Sequence, residues 1–269
     1  MTGWIDELLA NQEAEQFAPQ RPWSAAQQEN HVLFLHYRVP ADALRAIVPA
    51  PLELQMYDNS AWVAVLALKV NGVHVRRVPM PGPIGNFAEI DFAALVSHEG
   101  RLGFFFISIE GAHRVTSFTT RTTTGLPYLY SGARFQPDGD GFHVTSGPRW
   151  TRGRAAATFD ARYAPSRTGV IPDPGSPIRM LTSQYTAYVC RRGKVYEMDE
   201  VHPRWDLTEA DLELRCNTIP DAAGLQIGPT PALVHYSPGR SIISWLPVPV
   251  RPNRLGLAPP EAPGAQPLP

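Results

Sequence analysis

The sequence TTRTTTGLPYLYSGARF occupies residues 119–135 and is the stretch around which the rest of the chain is arranged. It predicts a β-rich run that carries Arg121, then a kink at Gly-Leu-Pro, then two tyrosines two positions apart. In an extended chain that spacing places Tyr128 and Tyr130 on one face. A proline removes a backbone donor and a nearby glycine relaxes the backbone, so we predict a bulge or a sheet edge here. The tyrosines then either pack in a core or point into a site.

The charge pattern argues against a polyanionic partner. Formal net charge is −1, and the arginines are scattered along the chain rather than clustered. Because a nucleic-acid surface requires a basic patch or stripe, we predict no nucleic-acid partner. Motifs for nucleotide binding, zinc proteolysis and α/β-hydrolase chemistry are absent from the sequence.

The sequence also predicts no metal, cofactor or membrane element. Cys190 and Cys216 form neither a disulfide framework nor a CxxC pair, and the histidines lack the spacing of metal ligands. The acidic N-terminus lacks the basic and apolar regions of a signal peptide, and no apolar run is long enough to cross a membrane. We therefore expect a cytoplasmic protein without a membrane partner.

Short apolar runs separated by turn residues predict many strands and few helices. Helices are expected over residues 3–16, after Pro40, and over 207–214, where Thr208 is a possible N-cap. A short helix running into a strand is expected over 178–189. This pattern is typical of an antiparallel sheet that closes on itself as a barrel or cone, with helices at its side.

The composition divides the chain into three parts. Residues 1–22 are predicted to form an N-terminal helical extension, and residues 23–250 a single domain. Residues 251–269 are rich in proline and poor in apolar side chains, so they predict a flexible tail.

Charged residues inside apolar strands are the first candidates for chemistry, because burying an unpaired charge is costly. Arg38 ends the apolar strand predicted over residues 31–39, and Glu89 lies near the start of another in NFAEIDFAAL. A buried ion pair between the two would be purely structural. Alternatively, Arg38 holds a substrate carboxylate while Glu89 serves as acid or base, with a pKa tuned by burial and by the neighbouring charge.

Three successive segments resemble the acetoacetate decarboxylase-like superfamily. They are HYRVPADALRAIVPAPLEL, then FAEIDFAALVSHEGRLGFFFISIE, then TTRTTTGLPY, followed by LTSQYTAY and HPRW. The sequence is most similar to an uncharacterised bacterial branch, the YqjF-like family, over about residues 28–248. The resemblance implies a mostly β (α+β) fold, an antiparallel β-cone or double barrel with a few peripheral helices and a buried pocket. It also implies a possible homo-oligomer.

The resemblance assigns catalytic positions to Arg38, Glu89 and Tyr128. Tyr128 stands where the decarboxylases carry their Schiff-base lysine, and a phenol cannot form an iminium with a ketone. The only lysines, Lys69 and Lys194, lie elsewhere in the sequence. Schiff-base decarboxylation is therefore not expected, although the Tyr128 phenol can donate a hydrogen bond or a proton to an enolate oxygen.

Arg121, Tyr130 and His36 are the predicted substrate-binding residues. Our first hypothesis is an enzyme that acts on an enolisable or polyketide-like acid by lyase, isomerase, cyclase or hydratase chemistry. A second is a non-catalytic protein that binds a metabolite in the same pocket, and a third is a structural or regulatory oligomer. A small molecule is the expected ligand in the first two.

Overall fold

The protein is built mostly from β-strands. The structure, a computed structural model, describes residues 3–10, 18–149, 156–166 and 177–250. The strands are β1 Ala25–Val39, β2 Glu53–Leu54, β3 Met56–Tyr57, β4 Ser60–Val75, β5 Val78–Pro79, β6 Phe87–His98, β7 Arg101–Gly111, β8 Tyr128–Tyr130, β9 Arg134–Asp138, β10 Gly141–Ser146, β11 Phe159–Pro165, β12 Thr186–Arg191, β13 Lys194–Val201, β14 Thr208–Asn217, β15 Leu233–Ser244 and β16 Val248–Pro249. The helices are α1 Gly3–Ala10, α2 Ala41–Arg45, α3 Gly82–Gly85, α4 Arg114–Thr124, α5 Pro177–Thr182 and α6 Ile219–Ala222.

Seven of the strands are linked in a ring. Their order is β13, β12, β7, β6, β4, β1 and β15, and β15 pairs again with β13, where Glu200 lies opposite Ser244. Within the ring only β7 and β12 run parallel, and every other pairing is antiparallel. The predicted mostly β fold, with a few helices at its side, is confirmed.

A second layer continues from the ring. The strands β14, β11, β10 and β9 follow β15 in the order of pairing. Their apolar side chains pack against the outward faces of β1, β4 and β6 in one buried cluster, which includes Leu33, Leu35, Val63, Val65, Ile90, Phe92, Val144, Phe159 and Ala161. The ring is therefore covered on the side from which these strands approach.

The strand β6 shows how the sequence divides side chains between two faces. Alternate residues Ala88, Ile90 and Phe92 join the cluster between the layers, whereas Phe87, Ala93 and Leu95 join a different one. Because side chains alternate along a strand, Glu89 and Asp91 lie on the same face as Phe87 and Ala93. This face looks into the ring.

The threonine-rich run ahead of Gly125 is helical, so the prediction of a β-rich run was wrong. Gly125 ends α4 with φ of +80°, and its N–H bonds to the carbonyl of Arg121 at 3.0 Å. Along the helix, threonine hydroxyls donate to carbonyls four residues earlier, as Thr122 does to Phe118 at 2.7 Å. These bonds satisfy side chains whose β-branching otherwise favours strands. The strand propensity of threonine, taken alone, therefore predicts the wrong secondary structure for this segment.

The predicted helix over residues 207–214 is also wrong, because this segment forms β14. Its side chains alternate between exposed and partly buried, with the acidic residues on the exposed face and Ala210, Leu212 and Leu214 turned toward the core. Thr208 begins the strand rather than capping a helix. The acidic residues that suggested a helix start are the solvent-facing positions of a strand with period two.

The helix α1 packs on the main body of the fold. Ile5 is fully buried and joins a cluster with Trp23, Ile243 and Trp245. The predicted helix over 3–16 is observed over 3–10, and its remaining residues lie outside the described part of the chain. The proposed tail, residues 251–269, lies outside it as well.

Candidate active site

The centre of the candidate site is a hydrogen bond between two buried side chains. The Oη of Tyr128 donates to Oε2 of Glu89 at 2.6 Å, and each residue is less than a tenth exposed. The donor comes from β8 and the acceptor from β6, and these strands are joined only through β7. The sequence-based pairing of residues 89 and 128 is therefore a contact in the structure.

The local backbone explains how Tyr128 reaches this position. After Gly125 ends α4, the carbonyl of Pro127 accepts a hydrogen bond from Ile109 N–H at 3.1 Å. The three-residue strand β8 then pairs parallel to β7, with Tyr128 opposite Ile109. The Gly-Leu-Pro segment thus ends a helix and starts a short edge strand that holds the phenol against β6.

Burial sets the protonation of the pair. Burial raises the pKa of Glu89 to about 7, although the Tyr128 hydrogen bond opposes the rise. Burial and the neighbouring Glu89 carboxylate raise the pKa of Asp91 well above its ordinary value. Burial, followed by the charges of Glu89 and Asp91, also raises the pKa of Tyr128, so the phenol stays a neutral donor at physiological pH. Glu89 is then poised to change protonation near neutrality.

Two further carboxyl groups share the ring interior. Burial raises the pKa of Glu200 to about 8, and the charges of Glu29 and Glu89 add to the rise. Burial also raises the pKa of Glu29. Glu200 lies on β13 and Glu89 on β6, and these strands are separated by two others in one direction around the ring and by three in the other. The Glu89 charge adds to the rise in the pKa of Glu200, so the two carboxyl groups interact electrostatically.

Arg240 carries positive charge close to the acidic residues Glu29 and Glu200. It lies opposite Glu29 in the pairing of β15 with β1, and the charges of Glu29 and Glu200 favour its protonated form. Burial opposes that form and lowers the pKa of Arg240 to about 9. The guanidinium lies 3.4 Å from the centre of the Trp205 ring. One arginine therefore feels the charges of two acidic groups, Glu29 and Glu200, and is stacked on an indole.

His202 orients Arg240 from the other side. Arg240 Nη1 lies 2.7 Å from His202 Nδ1, and His202 Nε2 lies 2.9 Å from the carbonyl of Gln184. Burial and the Arg240 charge hold the pKa of His202 well below its ordinary value, so the imidazole is neutral. A neutral ring satisfies both contacts when Nε2 carries the proton, donating to Gln184 while Nδ1 accepts from Arg240.

The structure places Arg38 away from this cluster. Its Nη1 pairs with Asp58 at 2.8 Å, with both side chains about half exposed, and its guanidinium lies over Trp62. Of the two alternatives for Arg38, the buried ion pair with Glu89 is therefore wrong, and the arginine forms a surface pair with Asp58. Arg38 is an exposed residue between buried Tyr37 and Val39, at the end of the strand.

The three predicted substrate-binding residues occupy different environments. Arg121 lies on the exposed side of α4, because the run that carries it is helical. Tyr130 is 42% exposed, and the guanidinium of Arg114 lies 4.8 Å from its ring centre. His36 is fully buried and stacks on Phe34, and burial lowers its pKa to about 3. None of these three is brought to the Tyr128–Glu89 hydrogen bond.

Sequence reasoning missed several members of the cluster. Asp91 carried a usable signal, because it follows Glu89 at the two-residue spacing of one strand face. HPRW is one of the motifs of the family resemblance, and its His202 and Trp205 contact Arg240. Glu29, Glu200 and Arg240 lie on three different strands, and only the pairings of β15 with β1 and with β13 bring those parts of the chain together.

The described residues contain neither a group of metal ligands nor a helix that could span a membrane. Across residues 3–10, 18–149, 156–166 and 177–250, no three His, Cys, Asp or Glu side chains are grouped so that they could hold a metal ion. In the same part of the chain, no helix has the length and apolar character needed to span a membrane.

The fold is that of the acetoacetate decarboxylase-like proteins. An acetoacetate decarboxylase of Legionella pneumophila superposes with a TM-score of 0.58 at 14% identity, covering 92% of this chain and 95% of that one. The enduracididine biosynthesis enzyme MppR complexed with pyruvate superposes with a TM-score of 0.55 at 14% identity, covering 86% and 92%. An acetoacetate decarboxylase-like enzyme from Sphingomonas wittichii RW1 gives a TM-score of 0.55 at 16% identity, covering 87% and 95%.

Sequence comparison defines the branch within this class. The model of DUF2071, a family described as uncharacterized conserved proteins, matches residues 26–241, and the chain belongs to that family. It is 30% identical over 227 residues to the uncharacterized protein YqjF of Bacillus subtilis (strain 168), which covers 84% of this chain and 93% of that protein. The resemblance found in the sequence motifs is confirmed.

Proposed function

We propose that this protein is a small-molecule enzyme that acts on an enolisable or polyketide-like acid without a Schiff-base lysine. The observation that carries the proposal is the buried hydrogen bond of 2.6 Å between Tyr128 and Glu89. Similarity to enzymes of the acetoacetate decarboxylase-like fold supports a small-molecule reaction. The reaction type is lyase, isomerase, cyclase or hydratase, each of which can pass through an enolate.

The chemistry follows from the two side chains. Glu89, with a pKa of about 7, exists partly as a carboxylate at neutral pH and can remove a proton from the carbon next to a carbonyl. Once Glu89 carries that proton, it no longer requires the Tyr128 hydroxyl as a donor. The phenol then donates to the enolate oxygen and stabilises its charge. Returning the proton from Glu89 to another carbon or oxygen completes an isomerisation or an elimination.

Arg240 is the proposed carboxylate anchor in place of Arg38. It is the arginine whose charge interacts with Glu29 and Glu200 inside the ring, whereas Arg38 pairs with Asp58 at the surface. Stacking on Trp205 fixes the plane of the guanidinium, and planar guanidinium groups bind carboxylates through paired hydrogen bonds. Protonation of the carboxyl groups with raised pKa values lessens the repulsion that an anionic substrate meets there.

The positions of both lysines argue against an iminium mechanism at this site. Lys69 lies next to Leu68, the residue that faces Glu89 across β4 and β6, so its side chain is on the opposite face of the sheet. Lys194 starts β13 beside the exposed hairpin turn with β12. Neither amine lies on the face of the sheet that carries Glu89.

The test is proton exchange followed by NMR in D₂O with a panel of 2-keto and 3-keto acids, together with assays for product formation. We expect Glu89→Gln to slow the reaction by roughly 100-fold or more, and Tyr128→Phe by roughly 10-fold or more. The matched control is Arg38→Gln, which removes a surface pair and leaves the rate within about twofold. Wild-type rates in folded Glu89→Gln and Tyr128→Phe proteins would rule out these roles.

The alternative is a protein that binds such an acid without converting it. It is favoured by the tight internal pairing of Tyr128 with Glu89, which leaves the phenol satisfied in the absence of ligand. In this case a keto acid binds saturably, yet no exchange or product forms with any member of the panel. The same experiment therefore separates the two functions.

A further inference from the structure

A cavity of about 420 Å³ opens on the other side of β6 from Glu89. It lies where β4 and β6 meet the segment that runs from β8 into β9. Its lining includes Lys69, Asn86, His113, Tyr130, Arg134 and Phe135. Ala88 also lines the cavity, and because Ala88 and Glu89 alternate along β6, the Glu89 carboxylate points away from it. This volume falls within the range of small-molecule sites.

The charged groups of the cavity are basic. Among the described residues, the lining contains Lys69 and Arg134 and no aspartate or glutamate. Neither cation has an ion pair or a hydrogen bond to any described residue, and Lys69 is only partly exposed. Positive charge in a concave site attracts an anion more strongly than the same charge on an open surface.

The start of α4 adds to this positive potential. His113 is the N-cap of the eleven-residue helix, and its side chain makes no capping hydrogen bond. Because Ala112 and His113 both line the cavity, the first turn of α4 begins at its wall. Free N–H groups and the helix dipole favour a negative charge at that end. The start of α4 therefore adds to the positive potential that Lys69 and Arg134 create in the cavity.

Aromatic rings form the apolar part of the wall. Tyr130 is 42% exposed, and Phe135 is packed at 5.3 Å between ring centres against Phe142. The same cluster includes His31, whose ring lies 4.2 Å from Phe142 and bonds to the Tyr236 hydroxyl at 3.0 Å. These contacts hold Phe135 in place. A rigid ring beside unpaired cations is suited to a planar ligand with an acidic group.

We propose that this cavity is a binding site for a small aromatic carboxylate, separate from the Tyr128–Glu89 site. The carboxylate lies between Lys69 and Arg134, at the start of α4, and the ring of the ligand packs on Phe135 and Tyr130. The aromatic wall distinguishes this ligand from inorganic phosphate, which the cations alone would hold. The site is occupied independently of any reaction at Glu89, so it serves a second substrate or an effector.

The experiment is calorimetric titration of the full chain with 2-naphthoate, and with 2-naphthylmethanol as the neutral ligand of the same shape. We expect saturable binding of the carboxylate and binding of the alcohol that is weaker by about tenfold or more. Arg134→Gln and Lys69→Gln each weaken 2-naphthoate binding by about tenfold. The control Lys194→Gln removes the other lysine, in the β12–β13 hairpin, and leaves the affinity unchanged.

Several results would overturn the proposal. They are no saturable binding of 2-naphthoate to the wild type, equal affinity for the alcohol, or an equal loss of affinity in the Lys194→Gln protein. Inorganic phosphate that displaces 2-naphthoate at similar concentration would contradict the aromatic part of the site. Lys69 lies within β4, so Arg134→Gln, at an exposed position, carries the test if the Lys69 variant does not fold.

Discussion

Tyr128 and Glu89 are both buried, and burying the polar group of either one without a partner would be costly. They form a short hydrogen bond with each other. The phenol gives the carboxylate a donor, and the carboxylate gives the phenol an acceptor, within 2.6 Å. The bond lowers the pKa of Glu89, but burial raises it more, and the balance leaves that pKa at about 7. A structural pair would also be satisfied by this geometry. Titration near neutral pH is the property that a general base requires.

Arg240 should matter to stability in a pH-dependent way. Burial raises the pKa of Glu200 from 4.5 to about 8, so between these values the folded protein holds more protons than the unfolded chain. Stability due to this group is therefore present at low pH and is lost as pH rises through about 8. Arg240 opposes that loss, because its charge stabilises the Glu200 carboxylate.

We therefore expect Arg240→Gln to lower the free energy of unfolding more near pH 8 than near pH 5, by an amount on the order of 3 kcal/mol at the higher pH. Urea unfolding at the two pH values measures the difference. Arg38→Gln is the matched control, since its half-exposed pair with Asp58 contributes roughly 1 kcal/mol or less at either pH. A cost for Arg240→Gln that is equal at both pH values would contradict the proposed coupling to Glu200.

The element that positions the phenol is the junction of α4 with β8. The sequence correctly predicted an irregular segment at Gly125 and a sheet edge at residues 128–130. The sequence did not predict the helix before the junction, because threonine on average favours strands. In the helix, the hydroxyls of Thr122 and its neighbours donate hydrogen bonds to carbonyls four residues earlier, and strand propensity does not include these bonds. The opposite error occurred at β14, which was predicted as a helix, because its alternating acidic residues also resemble the first turn of a helix.

Gly125→Ala should disturb this junction. The glycine has φ of +80°, and an added Cβ would lie 2.5 Å from Arg191 Cδ. The strained backbone costs about 1–2 kcal/mol, and a displaced Pro127–Tyr128 segment lowers the rate in the proton-exchange assay. Gly228→Ala is the control, because nothing lies within 4 Å of its added Cβ and its φ is not positive. Equal stability and activity of the two variants would show that the junction does not position Tyr128.

The whole molecule brings together groups that are far apart in sequence. The ring joins β1, β6, β13 and β15, and its closure by the pairing of β13 with β15 brings the strands of Glu200, Arg240 and Glu29 side by side. A few sequence motifs were enough to predict the family and the fold, because their order and spacing along the chain are specific when taken together. Arg240, the carboxylate anchor that we propose, could not be predicted from the sequence, because Arg38 has the stronger local pattern and only the long-range pairing of β15 with β1 favours Arg240.

The most direct test of the central claim is the pH profile of kcat/KM for proton exchange with the best keto acid of the panel. We predict that the wild-type rate rises with pH through an apparent pKa of about 7, as Glu89 loses its proton. In the Glu89→Gln protein this rise is absent, while Arg38→Gln retains it. An unchanged profile in folded Glu89→Gln protein would contradict the assignment of Glu89 as the base.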